Sequence, residues 1–217
     1  MKPVLYYCYD AYCGWCYGFS TVMVKIEEEF RDRVQFEVLS GGMMPVENAK
    51  HISSISGYIK SAYKRVEELS GVKFGSDFLW HINNPDESDW HLHSEKSAIA
   101  LCVLKEELPD KQVQLAADLQ YALNFEGRDL TDDEAYRHLL EKYSIEPEAF
   151  YQKLRSEVYV EKAHYEFALC RQLQVTAFPA VLVQANENKF YLLARGFTTH
   201  EDVSERLVKI LDEINGK

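Results

Sequence analysis

Residues 3–8 are almost continuously apolar or aromatic, the pattern of a buried strand. Between 14 and 32 the pattern changes. Phe19, Val22, Met23, Ile26 and Phe30 recur at three- and four-residue spacing and predict one face of a helix. Val34, Phe36, Val38 and Leu39 predict a second strand, which the right-handed crossover rule sets parallel to the first. The chain must then turn sharply at Ser40-Gly41-Gly42. From there to about Val175 the periodicity is helical, clearest over 53–69, 95–108, 111–126, 132–143, 147–154 and 158–173, with turn-rich breaks such as Asn83-Asn84-Pro85-Asp86. Thr131 and Glu134 have capping-box spacing, Pro147 suits a first helical turn, and Gly127 suits a helix end. Residues 180–184 and 190–194 then read as two strands of a hairpin, joined through Ala185-Asn186-Glu187-Asn188. A last helix over 200–214 carries Val203, Leu207, Ile210, Leu211 and Ile214 on one face. The expected fold class is therefore α/β, ordered β-α-β, helical block, β-β-α. An all-helical insertion over 46–173 would interrupt a domain formed by 1–45 and 174–217.

With 217 residues of which 47 % are apolar, the chain can fill such a core without covalent staples. Its 35 acidic residues outnumber 24 basic ones, and a formal charge of −11 repels phosphate backbones, so no nucleic-acid partner is expected. No apolar run approaches the length of a membrane span, and no membrane partner is expected either. The chain enters its first strand directly after Met1-Lys2-Pro3, which leaves no room for a secretory leader and predicts a cytoplasmic protein.

The candidate chemistry lies at Cys13-Gly14-Trp15-Cys16, a C-x-x-C pair between the first strand and the first helix. Free N–H groups and the positive end of the helix dipole favour a nucleophilic sulfur at the first cysteine. Cys16, one turn on, lies beside Cys13 and can resolve a mixed disulfide. A structural zinc site would need a second ligand pair at short spacing, which the sequence lacks; an inert structural disulfide is the other plain alternative. Cys8, Cys102 and Cys170 stand apart in apolar surroundings and read as small buried side chains. His81, His91 and His93, with Asp86 and Asp89, could suggest a metal, but surface histidines in a turn-rich segment are the simpler account, and no metal is expected. Asp10 could act on the thiols by charge or proton transfer, or simply form an Asx turn. Trp15 either contacts substrate at the exposed turn or packs against Tyr17, and contact is the reading preferred. Tyr6, Tyr7, Tyr9, Tyr12 and Tyr17 crowd the same end, mostly as packing, while Glu27-Glu28-Glu29 reads as a solvated helix face.

The early C-x-x-C, the helical insertion and the segment Val175-Thr176-Ala177-Phe178-Pro179-Ala180-Val181 before a hairpin together resemble the DsbA-like branch of the thioredoxin superfamily, over the whole chain. Asp10 to Phe19 is most similar to bacterial protein-disulfide isomerases related to the FrnE-like proteins. The resemblance implies a thioredoxin fold and a cis Pro179 facing the dithiol, where Phe178 shapes the pocket and an extended substrate pairs with the backbone. It also implies thiol–disulfide exchange with protein or small-molecule thiols and disulfides, with Cys13 as nucleophile, Cys16 as resolving thiol, and Gly14, Trp15, Phe178 and Pro179 at the substrate. No cofactor beyond the redox-active dithiol is implied, with glutathione as a candidate partner. The same fold resembles kappa-class glutathione transferases and hydroxychromene-carboxylate isomerases, so a glutathione-dependent enzyme acting on small molecules is the alternative. A redox-switched binding protein or chaperone is a third.

Overall fold

The strand Val4–Tyr9 (β1) sits in the middle of the sheet because its side chains are wanted on both sides. Leu5, Tyr7 and Tyr9 face the main core, whereas Cys8 joins a smaller cluster with Leu39, Cys170, Ala180 and Leu182 on the opposite face. The computed structural model describes residues 2–214 and 216; Met1, Asn215 and Lys217, at the ends of the expected domain ranges, lie outside the described residues. The helix Gly14–Phe30 (α1) leads to the strand Gln35–Ser40 (β2), which pairs in parallel with β1, as the crossover rule requires. The hairpin strands Ala180–Asn186 (β5) and Lys189–Arg195 (β6) complete the order β2-β1-β5-β6, with β5 antiparallel to β1. The helix His200–Ile214 (α9) packs on the α1 side of the sheet. This mixed sheet with flanking helices is the expected α/β thioredoxin-like architecture.

The register of the central pair positions the chemistry. Cys8 is paired with Ala180, so the residue before Ala180 comes level with the end of β1, from which a short turn leads to Cys13. Two distant sequence segments thus meet at one end of the sheet.

Between β2 and β5 run the helices Ser53–Ser70 (α2), Ser76–Asn83 (α3), Glu95–Glu107 (α4), Gln112–Asn124 (α5), Arg137–Tyr143 (α6), Pro147–Leu154 (α7) and Glu157–Gln172 (α8). α4 is buried continuously from Ser97 to Leu104 and forms the centre of the block. α8 lies on β2 and covers the second sheet face. Gly18 lets α2 lie directly on α1, since a Cβ there would stand 2.7 Å from Val66 Cγ1. That close crossing brings α2 over the start of α1.

Several expectations are corrected. The insertion is not all-helical: Lys50–His51 (β3) and His91–Leu92 (β4) form a small antiparallel sheet, too short to show alternation in the sequence. α3 occupies a segment without an expected helix, because eight residues before Asn83-Asn84-Pro85 give little periodicity. Thr131 does not cap: its hydroxyl donates to Asp129, and Asp132 accepts from the Glu134 N–H to open a 3-10 turn, Asp133–Tyr136, ahead of α6. The hairpin loop is shorter than expected, with only Glu187 and Asn188 between β5 and β6.

Candidate active site

Cys13 is the N-cap of α1, in extended conformation, and its Sγ accepts the Cys16 backbone N–H at 3.2 Å. Four N–H groups at a helix start have no helical partner, and one of them is used here on sulfur. The Cys13 thiol also reaches the Phe178 carbonyl, 3.6 Å away. The Phe178–Pro179 peptide is cis. The two cysteines and the Phe178–Pro179 step therefore form one cluster. Cys16 is fully buried; burial, followed by its contact with Cys13, holds its thiol far above the usual range.

Asp10 organises the turn that carries Cys13. Its carboxylate accepts the N–H groups of Tyr12 at 3.0 Å and Met43 at 2.8 Å, and its carbonyl accepts the N–H of Cys13 at 3.1 Å. The Asx turn is present, and the second oxygen ties it to the loop after β2. Burial raises the Asp10 carboxyl above its ordinary range, against the opposing pull of those donors. Behind the dithiol, Tyr7 and Tyr9 are buried, while Tyr17 donates to the Lys73 carbonyl at 2.8 Å and meets Phe74 edge-on. Tyr6, on the far face, donates to Gln184.

Gly41 is a feature of the site that sequence reading took only for a turn. A Cβ there would fall 2.0 Å from Phe178 Cζ, so the phenyl ring occupies space that only a glycine leaves open. The Gly41-Gly42 pair was the visible signal; its partner, some 140 residues away, was not.

Cys13, Gly14, Trp15 and Phe178 line a cavity of about 780 Å³. α2 covers it with Ile55, Ile59, Tyr63 and Val66, and Phe74, Phe78 and Met44 close other sides. Trp15 is half-buried and its ring meets Phe197 at 6.3 Å, not Tyr17, so it both packs and faces the cavity. The helical wall was not among the expected site residues, because an apolar helix face reads as core whether it meets protein or open space.

The remaining chemistry-bearing residues lie elsewhere. His81 stacks on Trp90 at 3.9 Å, and His91 meets His51 edge-on at 5.1 Å. Among the described residues no three His, Cys, Asp or Glu side chains group as metal ligands. Cys8 and Cys170 do not stand apart: they belong to one small buried cluster, and Cys170 donates to the Ser40 carbonyl at 3.5 Å. Among the described residues no helix is long and apolar enough to cross a membrane.

The model of the DsbA-like thioredoxin domain matches residues 4–207. The chain belongs to the DsbA-like thioredoxin-domain family. No match was found among curated proteins. Among solved structures, a candidate protein disulfide isomerase from Nitrosomonas europaea is similar with a TM-score of 0.84 at 21 % identity, over 98 % of this chain and 99 % of that one. The cytosolic disulfide reductase DsbM from Pseudomonas aeruginosa, also solved with GSH, gives a TM-score of 0.73 at 21 % identity, covering 98 % and 95 % of the two chains. A 2-hydroxychromene-2-carboxylate isomerase gives 0.66 at 10 % identity, covering 97 % of each. At these identities the likenesses show the fold. Membership of the DsbA-like family supports an oxidoreductase or isomerase role.

Proposed function

We propose that this DsbA-like protein is a thiol–disulfide oxidoreductase in which Cys13 attacks and Cys16 resolves. The carrying observation is the environment of Cys13 Sγ, which takes the Cys16 N–H on one side and faces the Phe178 carbonyl before Pro179 on the other. In the first step the Cys13 thiolate attacks one sulfur of a substrate disulfide, forming a mixed disulfide and releasing the other sulfur as a thiolate that takes up a proton. Cys16 then loses its proton and attacks Cys13 Sγ, closing the Cys13–Cys16 bond and releasing the second substrate thiol. Two equivalents of a small thiol such as glutathione restore the dithiol and leave as its disulfide. Run backwards, the same steps donate a disulfide.

Gly14 and Trp15 set the contact surface beside the nucleophile, and Phe178 with cis-Pro179 offers backbone to an extended substrate segment. A cytoplasmic setting goes with this reading, as for the cytosolic reductase to which the chain is similar. The alternative, a glutathione-dependent isomerase or transferase of small molecules, draws on the largely apolar cavity beside Cys13 and on the isomerase with the same fold.

Equilibration in a glutathione redox series, read by thiol alkylation, tests the proposal. A reversible Cys13–Cys16 disulfide is expected, and Cys16→Ser should accumulate a mixed disulfide with substrate. If no intramolecular disulfide forms and Cys16→Ser keeps full turnover with glutathione, the exchange reading is lost to the isomerase reading. A potential near the roughly −270 mV of thioredoxin makes the protein a reductase, and one near the roughly −120 mV of DsbA an oxidant.

A further inference from the structure

Tyr7 reaches from the middle of β1 into the main core with 1 % of its surface exposed, yet its hydroxyl has no hydrogen-bond partner among the described residues. An unpaired buried donor is costly, and native proteins pair the great majority of such groups. The ring lies against the helix that carries the dithiol. It meets Phe19 edge-on with centroids 6.0 Å apart, and Phe19 stands one turn after Cys16 on the same side of α1. Burial first, and then the neighbouring Cys16 and Cys13 thiols, raise the Tyr7 phenol well above its ordinary range, so the oxygen keeps its proton near neutral pH. The other titratable groups about it are Tyr9 and Cys8, both on β1. Around Cys16 stand Cys13, Asp10 and Tyr9 besides. Tyr9 also has an unpaired buried hydroxyl, but its strongest neighbour is the Asp10 carboxylate, with Cys16 well behind. Tyr7 is thus the buried donor whose first neighbours are the reacting thiols.

Resting on the exchange reading above, we infer that Tyr7 is the hydrogen-bond donor for the resolving sulfur, its hydroxyl turning to Cys16 Sγ when that sulfur carries charge. In the resting dithiol Cys16 is protonated and the donor is idle. During resolution Cys16 loses its proton and attacks Cys13 Sγ, so a negative charge stands for a moment in a buried, apolar place. Tyr7 donates to that charge and acts neither as acid nor as base, since its own proton stays. The bonds are those written above: Cys13–Cys16 forms, the bond from Cys13 to the substrate breaks, and the electron pair leaves on the substrate sulfur.

The test is a stopped-flow reaction of the reduced protein with excess dithiobisnitrobenzoate, following release of the coloured thiol between about pH 6 and pH 8. The first release, dependent on reagent concentration, reports attack by Cys13; the next, independent of it, reports resolution by Cys16. Loss of a hydrogen bond to a charge makes the Cys16 thiolate about 10- to 100-fold scarcer. Roughly half of that, on a logarithmic scale, is returned because a more basic thiolate is the better nucleophile. In Tyr7→Phe the second rate should therefore fall about 3- to 10-fold at each pH, while the first stays within about twofold of the parent. The urea midpoint of reduced Tyr7→Phe should equal or exceed that of the parent, because an unpaired buried hydroxyl has gone. Tyr151→Phe, which removes another unpartnered buried hydroxyl, from α7, should leave both rates unchanged. An unchanged second rate in Tyr7→Phe overturns the inference and leaves exchange intact. A slowing that comes with a lower urea midpoint overturns it too, because it assigns the hydroxyl to the packing of the fold. If the parent shows no concentration-independent release, the exchange reading fails, and this inference with it.

Discussion

Cys13 and Cys102 are exposed to almost the same small degree, 7 % and 6 %, yet they stand in opposite surroundings. Cys13 caps a helix and receives a backbone N–H on its sulfur. Cys102, on α4, donates to the Glu166 carboxylate at 3.5 Å. Burial and that carboxylate push the Cys102 thiol well above the ordinary range, although Lys105 pulls the other way. Exposure alone therefore does not separate the two; what does is that the Cys13 sulfur has a helix-start N–H and a neutral carbonyl beside it, whereas Cys102 faces a carboxylate. Cys170 repeats the lesson: the neighbouring Cys8 thiol, then burial, pushes its thiol far up.

The largest expected effect separates the two cysteines directly. Cys13→Ser should lower disulfide turnover by about three orders of magnitude or more, because it removes the proposed attacking atom. Cys102→Ser should stay within about twofold of the parent, since a hydroxyl can make the same donation to Glu166. Steady-state reduction of one small disulfide, run on both variants, checks the pair. Substantial turnover in Cys13→Ser would break the comparison.

The surroundings of Cys102 can be altered instead of the sulfur. Glu166 accepts from Lys105 at 2.5 Å and from the Ser40 N–H at 2.8 Å, and only 8 % of its side chain is exposed. Lys105 also reaches Glu37, at 3.2 Å. Burial lowers the Lys105 ammonium, and the two carboxylates more than reverse that. Glu166→Gln leaves Lys105 with the Val38 carbonyl and, as its only carboxylate, the more exposed Glu37, which should cost about 3 kcal/mol in urea unfolding, near the low end for breaking a buried pair. Alkylation of Cys102 in the folded protein should also quicken. If stability and alkylation both match the parent, the carboxylate is not what holds Cys102 inert.

How much of this was legible in the sequence depended on distance along the chain. The strand–C-x-x-C–helix start, the second strand and the final hairpin-helix all rest on local periodicity, and each is present, the hairpin with longer strands and a shorter loop than the pattern gave. The meeting of Cys13 with Phe178, 165 residues apart, rests on the pairing of β1 with β5, and only a family resemblance brought the two segments together beforehand. The cavity left no trace, because α2 shows the same amphipathic spacing whether its apolar face meets a wall or a space. The β3–β4 pair escaped for the simpler reason that two residues cannot show alternation.

Two glycine substitutions sharpen the view of the site. In Gly41→Ala the new methyl collides with the Phe178 ring, and the displaced ring carries with it the carbonyl that faces Cys13. A shift of about 1 Å there should slow exchange roughly 10- to 100-fold. Gly57→Ala, at an exposed α2 position whose Cβ meets nothing within 4 Å, should leave exchange alone and stabilise the fold by about 0.5–1 kcal/mol. Parallel stopped-flow and urea measurements on the two variants separate crowding of the ring from any general effect of losing a glycine. An unchanged rate in Gly41→Ala would show that the ring position does not matter to exchange.

The last effect concerns timing within the dithiol. Burial, first, and contact with Cys13, second, hold the Cys16 thiol far above its ordinary value of 9.0, so near neutral pH it is protonated. The thiolate fraction then rises about tenfold for each pH unit, and the lifetime of the mixed disulfide on Cys13 should shorten by the same factor between about pH 6 and pH 8. Because the folded thiol holds its proton more tightly than the unfolded one, the associated stability is complete below about pH 9 and is lost as the pH rises towards the folded value. Mixed-disulfide decay after a single mixing with substrate measures the first effect, and urea unfolding at alkaline pH the second. A lifetime independent of pH, alongside the expected alkaline loss of stability, would mean that Cys16 hands its proton to a group within the site instead of to water. Asp10, whose carboxyl burial raises above its ordinary range, stands close enough to Cys16 to influence its thiol and would be the first residue to replace.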